Sequence, residues 1–121
     1  MVKALFDTNI LIDYLSGIRA AKKELALYEY RAISMITWME VLVGATREEE
    51  AALRGWLASF EVLDLDNRVA DRAIELRKRK KVRLPDAIVW ATAQVHSLLL
   101  VSRNTKDFPH DEPGIRVPYK V

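Results

Sequence analysis

The chain has 121 residues, half of them hydrophobic and 30% charged, with a formal net charge of +2 and no Cys. Disulfide frameworks, thiolate metal sites and Cys nucleophiles are thereby excluded, and so small a net charge argues for nucleic-acid binding only if the charges cluster. No apolar run approaches the roughly 18 residues of a membrane span, and Asp7 and Asp13 fall where a signal peptide would be uncharged, so a cytoplasmic protein with a single domain over residues 1–121 is expected.

Taken in chain order, residues 2–6 form a short apolar run that reads as a buried strand ending at Asp7. Thr8-Asn9 opens a short helix over 10–15, stopped by Ser16-Gly17. Residues 19–30 read as a helix and 32–36 as a second strand. Thr37 starts the next helix, which Gly44 ends. A helix over 48–60 and a strand over 62–65 follow, and Asp66 caps a long helix to about residue 81. Pro85 is placed as the first residue of a helix running to 97. Residues 98–101 form a fourth strand, apolar throughout, as expected when helices cover both faces of a sheet. Residues 104–108 form a short turn or helix, and 115–117 a fifth, edge strand ended by Pro118. Strands alternating with helices predict a three-layer α/β/α sandwich around a mainly parallel sheet of four to five strands.

Four of the 17 acidic residues share a position in this scheme. Asp7 ends the first strand, Glu40 lies in the first turn of the helix after the second, Asp86 opens its helix, and Asp107 follows the fourth strand. In an open α/β sheet the ligand site lies beyond the carboxyl ends of the strands, so all four are expected at one edge. Each has an ordinary alternative: Asp7 as a helix cap, Glu40 as the partner of Thr37 in a capping box, Asp86 as a helix-start acid, Asp107 as a turn residue. Gathered carboxylates repel, and without a cation some must take up protons. Oxygen donors without Cys or ligand-spaced His suit a hard ion, Mg²⁺ or Mn²⁺, and such a site supports phosphodiester hydrolysis.

These residues also carry a family likeness. Leu5-Phe6-Asp7-Thr8-Asn9-Ile10-Leu11-Ile12-Asp13-Tyr14-Leu15 resembles the opening of PIN-domain nucleases, especially VapC-type toxins. Thr37 with Glu40-Val41-Leu42-Val43-Gly44 resembles their second motif. Leu84-Pro85-Asp86-Ala87-Ile88-Val89-Trp90-Ala91-Thr92-Ala93 resembles the third, and Leu100-Val101-Ser102-Arg103-Asn104-Thr105-Lys106-Asp107-Phe108 the fourth. Ser102 stands where Thr is commoner in the family, and the stretch between Glu40 and Asp86 is shorter than in many relatives. The resemblance implies a Mg²⁺- or Mn²⁺-dependent endoribonuclease whose acidic cluster is Asp7, Glu40, Asp86 and Asp107. It implies Thr8, Thr37 and Asn104 as supporting polar groups, a homodimer, and a cognate VapB-like antitoxin.

The dense basic run Arg77-Lys78-Arg79-Lys80-Lys81-Val82-Arg83 is either a solvated helix end complementing the dipole or a guide for RNA phosphates. Arg83, Arg103 and Lys106 are the candidate substrate-binding cations. His96 and His110 are not expected to be catalytic, Trp38, Trp56 and Trp90 are expected to pack, and Asp13 is expected to be solvated or to cap. Leu25, Leu27, Tyr28 and Tyr30 are expected in the core or on a partner surface. Two rival functions are a non-enzymatic binding module acting with an antitoxin on DNA, or an RNA-processing nuclease that is not a toxin. A third, phosphate transfer through Asp7, lacks an Asp-x-Asp pair at the first strand.

Overall fold

In the computed structural model, which describes residues 1–109 and 111–120, strands and helices alternate as β1 (Ala4–Phe6), α1 (Thr8–Leu15), α2 (Arg19–Ala26), β2 (Arg31–Ser34), α3 (Met35–Val43), α4 (Arg47–Leu57), β3 (Glu61–Leu63), α5 (Asn67–Lys80), α6 (Leu84–Val95), β4 (Leu99–Val101) and β5 (Ile115–Arg116). The strands form one sheet in the order β3-β2-β1-β4-β5, and every pairing is parallel. Strand order therefore runs one way from β1 to β2 and the other way from β1 to β4. That reversal opens a crevice at the carboxyl ends of β1 and β4, the general ligand position in such sheets.

Alternation along the short strands builds the layers. Leu5, Ala32 and Leu100 pack with Val69, Ala73 and Leu76 of α5 and Ala87, Trp90 and Ala91 of α6. Ala4, Phe6, Ile33 and Val101 face the other way, onto Ile10 and Leu11 of α1, Leu25 of α2, Val41 of α3 and Leu57 of α4. Phe6 is completely buried and meets Tyr28 and Phe60 edge-on, with ring centroids 5.6 and 6.4 Å apart. Burying one such side chain contributes about 1.5–3 kcal/mol. The Trp side chains pack as expected: Trp56 stacks on Tyr14 at 5.0 Å, Trp38 lies under Arg54, and Trp90 is buried against Phe108 at 5.9 Å. The last contact draws the segment after β4 onto α6.

Several element bounds differ from the sequence expectation, each for a local reason. The second strand ends at Ser34, not at residue 36, because Ser34 Oγ accepts a hydrogen bond from the Thr37 N–H and caps α3. The helix after Gly44 starts at Arg47, where Thr46 and Glu49 form a reciprocal capping box. Pro85 is the second residue of α6, with extended Arg83 preceding the helix. Of the two forms expected for the segment containing Asp107, the turn is the one found. The 19–30 helix stops at Ala26, leaving Leu25 buried, Leu27 two-thirds exposed, and Tyr28 donating to Glu24 at 2.8 Å.

Two buried acids tie the helices to the far strands. Glu24 on α2 receives Arg116 of β5 at 2.7 and 3.0 Å. Asp13, expected to be solvated or to cap, is instead only 4% exposed. It takes the Arg103 guanidinium on both oxygens, one contact at 2.9 Å, and a hydrogen bond from the Tyr119 hydroxyl at 2.8 Å. These partners hold the carboxyls of Asp13 and Glu24 below the usual range despite the opposing effect of burial. Losing one member of such a pair strands a buried charge. Arg103→Met should therefore cost about 2–3 kcal/mol, read as a fall of roughly 10 °C in Tm for a chain of this size; an unchanged Tm would show that the pair contributes nothing.

Candidate metal-binding active site

Three helices begin at the crevice. α1 follows β1 and α3 follows β2, so each starts at the carboxyl edge; α6 leads into parallel β4 and must start there too. Their N-termini present unpaired backbone N–H groups and positive dipole ends, which favour negative charge nearby. Asp7 caps α1 by accepting the Thr8 N–H at 2.8 Å. Its other oxygen receives Ser102 Oγ at 2.7 Å and Asn9 Nδ2 at 3.2 Å. The capping and site readings of Asp7 are thus compatible: one oxygen serves each.

Around Asp7 the hydrogen bonds run outward to the other three acids. Thr8 Oγ1 donates to Glu40 Oε1 at 2.7 Å and lies 3.0 Å from Thr37 Oγ1, which Ser34 Oγ approaches at 3.3 Å. Ser102 Oγ accepts the Asn104 N–H at 3.0 Å, and Asn104 Nδ2 donates to Asp107 Oδ2 at 3.0 Å. Arg83 then spans Asp107 and Asp86, with contacts of 3.2 Å to each. Glu40, Asp7, Asp107 and Asp86 are in this way joined by one continuous polar chain that draws on the cap and first residue of α1, on α3, on the start of α6 and on the turn after β4. The capping box of Thr37 and Glu40, the ordinary alternative for Glu40, does not form. The cap is Ser34, which places Glu40 beyond the first turn of α3 and leaves its carboxylate to Thr8.

The electrostatics carry the cost of this gathering. Burial pushes the Asp7 carboxyl up, and the charges of Glu40 and Asp107 push it further, against the hydrogen bonds from Ser102 and Thr8. Burial raises Asp86 to about 6, aided by a hydrogen bond with Asp107 and the charges of Asp7 and Asp107, with Arg83 opposing. The Asp107 carboxyl is held below its usual range by Asn104, with Asp86 and Arg83 adding to that. The donor set is entirely oxygen and carries more negative charge than Arg83 offsets, which fits a hard divalent cation. Among the described residues no three acidic side chains close directly on one point. An open arrangement of this kind suits Mg²⁺, which keeps several waters and takes few protein carboxylates.

The candidate cations separate. Arg83 lies on the acidic cluster. Lys106 is exposed and shares a small cleft of about 190 Å³ with Lys80, Trp90, Thr105, Asp107 and Pro109. Arg103 is turned to Asp13 and α1, so its guanidinium is committed to the fold. Arg77, Lys78, Arg79 and Lys80 are all exposed in the last turn of α5. His96 is an exposed residue at the end of α6, and His110 lies outside the described residues. Three participants escaped assignment to the site: Ser34, Asn9 and Ser102. The two serines share a usable signal, each being the first polar residue after an apolar strand run and so lying at the carboxyl edge.

The PIN domain family matches residues 4–110. Ribonuclease VapC10 of Mycobacterium tuberculosis (strain H37Rv) is 30% identical over 97% of this chain and 93% of its own length. A chain of a toxin–antitoxin complex from Klebsiella pneumoniae superposes with a TM-score of 0.93 at 49% identity, over 98% of this chain and 100% of that one. A chain of DNA-bound VapBC from Salmonella typhimurium gives a TM-score of 0.78 at 27% identity, covering 96% of each. With the four acidic segments falling in order at one sheet edge, and the matches spanning nearly the whole length, the chain belongs to the PIN-domain family, in its VapC type.

Proposed function

We propose that this protein is a divalent-metal-dependent endoribonuclease, the toxin of a VapBC-like pair, with Asp7, Glu40, Asp86 and Asp107 as its metal-holding and catalytic acids. The observation that carries the reading is the single polar chain joining these four side chains at the switch between β1 and β4. The likeness to VapC10, whose name gives it as a ribonuclease, supports RNA as substrate. Likeness to chains of the Klebsiella toxin–antitoxin complex and of VapBC supports a cognate antitoxin as partner. Among the described residues no helix is long and apolar enough to cross a membrane, which accords with action in the cytoplasm. A homodimer is part of the same reading.

Bound at this site, Mg²⁺ or Mn²⁺ supplies polarisation of a phosphoryl oxygen and activation of a water. The chain's own residues do the placing. Ser102 and Asn9 fix the rotamer of Asp7, Thr8 aims Glu40, and Asn104 aims Asp107; such outer partners typically change metal affinity or activity by about 10- to 100-fold when removed. Thr37 buttresses Thr8. Lys106 and Arg83, at the rim, receive the phosphates of the RNA strand.

Purified protein should cleave RNA to 5′-phosphate and 3′-hydroxyl ends, and excess EDTA should stop it. Asp7→Asn and Asp86→Asn should abolish cleavage, and Ser102→Ala should lower it by about 10- to 100-fold. Because the acids repel in the metal-free fold, both Asn variants should keep or gain Tm as they lose activity. Full cleavage by either variant, or in EDTA, would contradict the reading.

The raised acids also set a pH dependence. The Asp86 carboxyl rises from 3.8 to about 6 on folding, so between these values the folded state binds more protons than the unfolded one and stability falls as pH rises. Asp7 shifts in the same direction. The lowered acids Asp13, Glu24 and Asp107 act in the opposite sense below their ordinary values, 3.8 for the two aspartates and 4.5 for Glu24, so they offset the effect only at the acid end of this window. Thermal melts of metal-free protein should show Tm falling from about pH 5 to about pH 6.5, with a shallower fall in Asp86→Asn. Added Mn²⁺ should restore Tm above that range.

A further inference from the structure

One cation already serves the acidic cluster. Arg83 Nη2 lies 3.1 Å from Asp86 Oδ2 and 3.2 Å from Asp107 Oδ2, and Nε donates to the same Asp86 oxygen at 3.2 Å. The Arg83 side chain is 74% exposed, whereas those of Asp86 and Asp107 are 14% and 11% exposed. A guanidinium reaches in from solvent and covers the facing oxygens of two mostly buried acids. Its backbone is fixed, since the Arg83 carbonyl accepts the Ala87 N–H at 2.8 Å at the start of α6. Its head is held, among the described residues, by these two acids alone. The same Oδ2 atoms are among those offered to a divalent ion.

We propose that Arg83 is a positioning residue, a displaceable counter-ion that holds Asp86 and Asp107 together in the metal-free protein and gives up their oxygens when the divalent cation binds. The proposal rests on the metal-dependent reading above. Without a cation, Asp86 faces the charges of both Asp7 and Asp107, and the guanidinium offsets that repulsion. An exposed ion pair is weak and screened by salt, so it is readily broken. A planar fork reaches both carboxylates at once, whereas a Lys ammonium is a single point of charge. The arrangement keeps the two acids at a shared spacing and sets a threshold that the metal must exceed.

The test is Mn²⁺ binding by the full-length chain at fixed ionic strength, followed by calorimetry or by loss of the free-ion paramagnetic resonance signal. Arg83→Gln should bind Mn²⁺ about two- to fivefold more tightly than wild type, the equilibrium weight of one exposed ion pair. Arg83→Lys should fall between the two. Arg79→Gln removes the same charge at the penultimate residue of α5, where Arg79 meets Glu75 at 3.3 Å, and should leave the affinity unchanged; melts confirm that each variant is folded. Equal or weaker binding in Arg83→Gln overturns the proposal, as does an equal tightening in Arg79→Gln, which would reduce the effect to net charge. Failure of wild type and every variant to bind Mn²⁺ removes the metal-dependent reading itself, a result distinct from equal binding by all.

Discussion

Repulsion among carboxylates is the constraint around which this structure is organised. A parallel sheet whose strand order reverses at β1 delivers the ends of several elements to one crevice, and here those ends bring Asp7, Glu40, Asp86 and Asp107. The fold answers the repulsion by local means. Three helix N-termini face the crevice, Ser102, Asn9 and the Thr8 N–H share the charge of Asp7, and Arg83 bridges Asp86 and Asp107. Burial first, and then the charges of neighbouring acids, push the carboxyls of Asp7 and Asp86 up in spite of these devices. A site built for function at the expense of stability has this form.

Two other buried acids, Asp13 and Glu24, behave in the opposite way to Asp7 and Asp86. Asp13 and Glu24 are as buried as Asp7, yet each has a bidentate Arg and a Tyr hydroxyl, and each is held below the usual carboxylate range. Burial alone therefore does not distinguish a site acid from a structural one. What separates Asp13 and Glu24 from Asp7 is a guanidinium on both carboxylate oxygens, where Asp7 has only neutral donors.

Much of this was legible in the sequence because the relevant signals are local. Short apolar runs mark β1 and β4, each ending at a polar residue, and the polar residue after a buried parallel strand must lie at its carboxyl edge. The order of Asp7, Glu40, Asp86 and Asp107 along an alternating strand–helix pattern was enough to expect all four at one sheet edge, though not the hydrogen-bonded relay that links them. What escaped were pairings between residues far apart in the chain. Asp13 and Arg103 are 90 positions apart, and nothing in the spacing of either shows that the turn after β4 crosses α1. Arg103 beside Asn104 resembled a phosphate ligand for the same reason. Ser34 was absorbed into a predicted strand because its neighbours are apolar, although its hydroxyl ends that strand by capping α3. Arg83 was visible as one cation in a basic run, while its engagement with two acids depends on the turn between α5 and α6.

One cation-binding centre formed by the four acids at the switch between β1 and β4 would have a direct crystallographic signature. Anomalous diffraction from crystals grown with Mn²⁺ tests it most directly. A peak is expected within coordinating distance of Asp7 and at least one of Glu40, Asp86 and Asp107, with the Arg83 guanidinium moved off the Asp86 and Asp107 oxygens. Mn²⁺ located only at acids elsewhere on the surface, with this crevice unchanged, would contradict it.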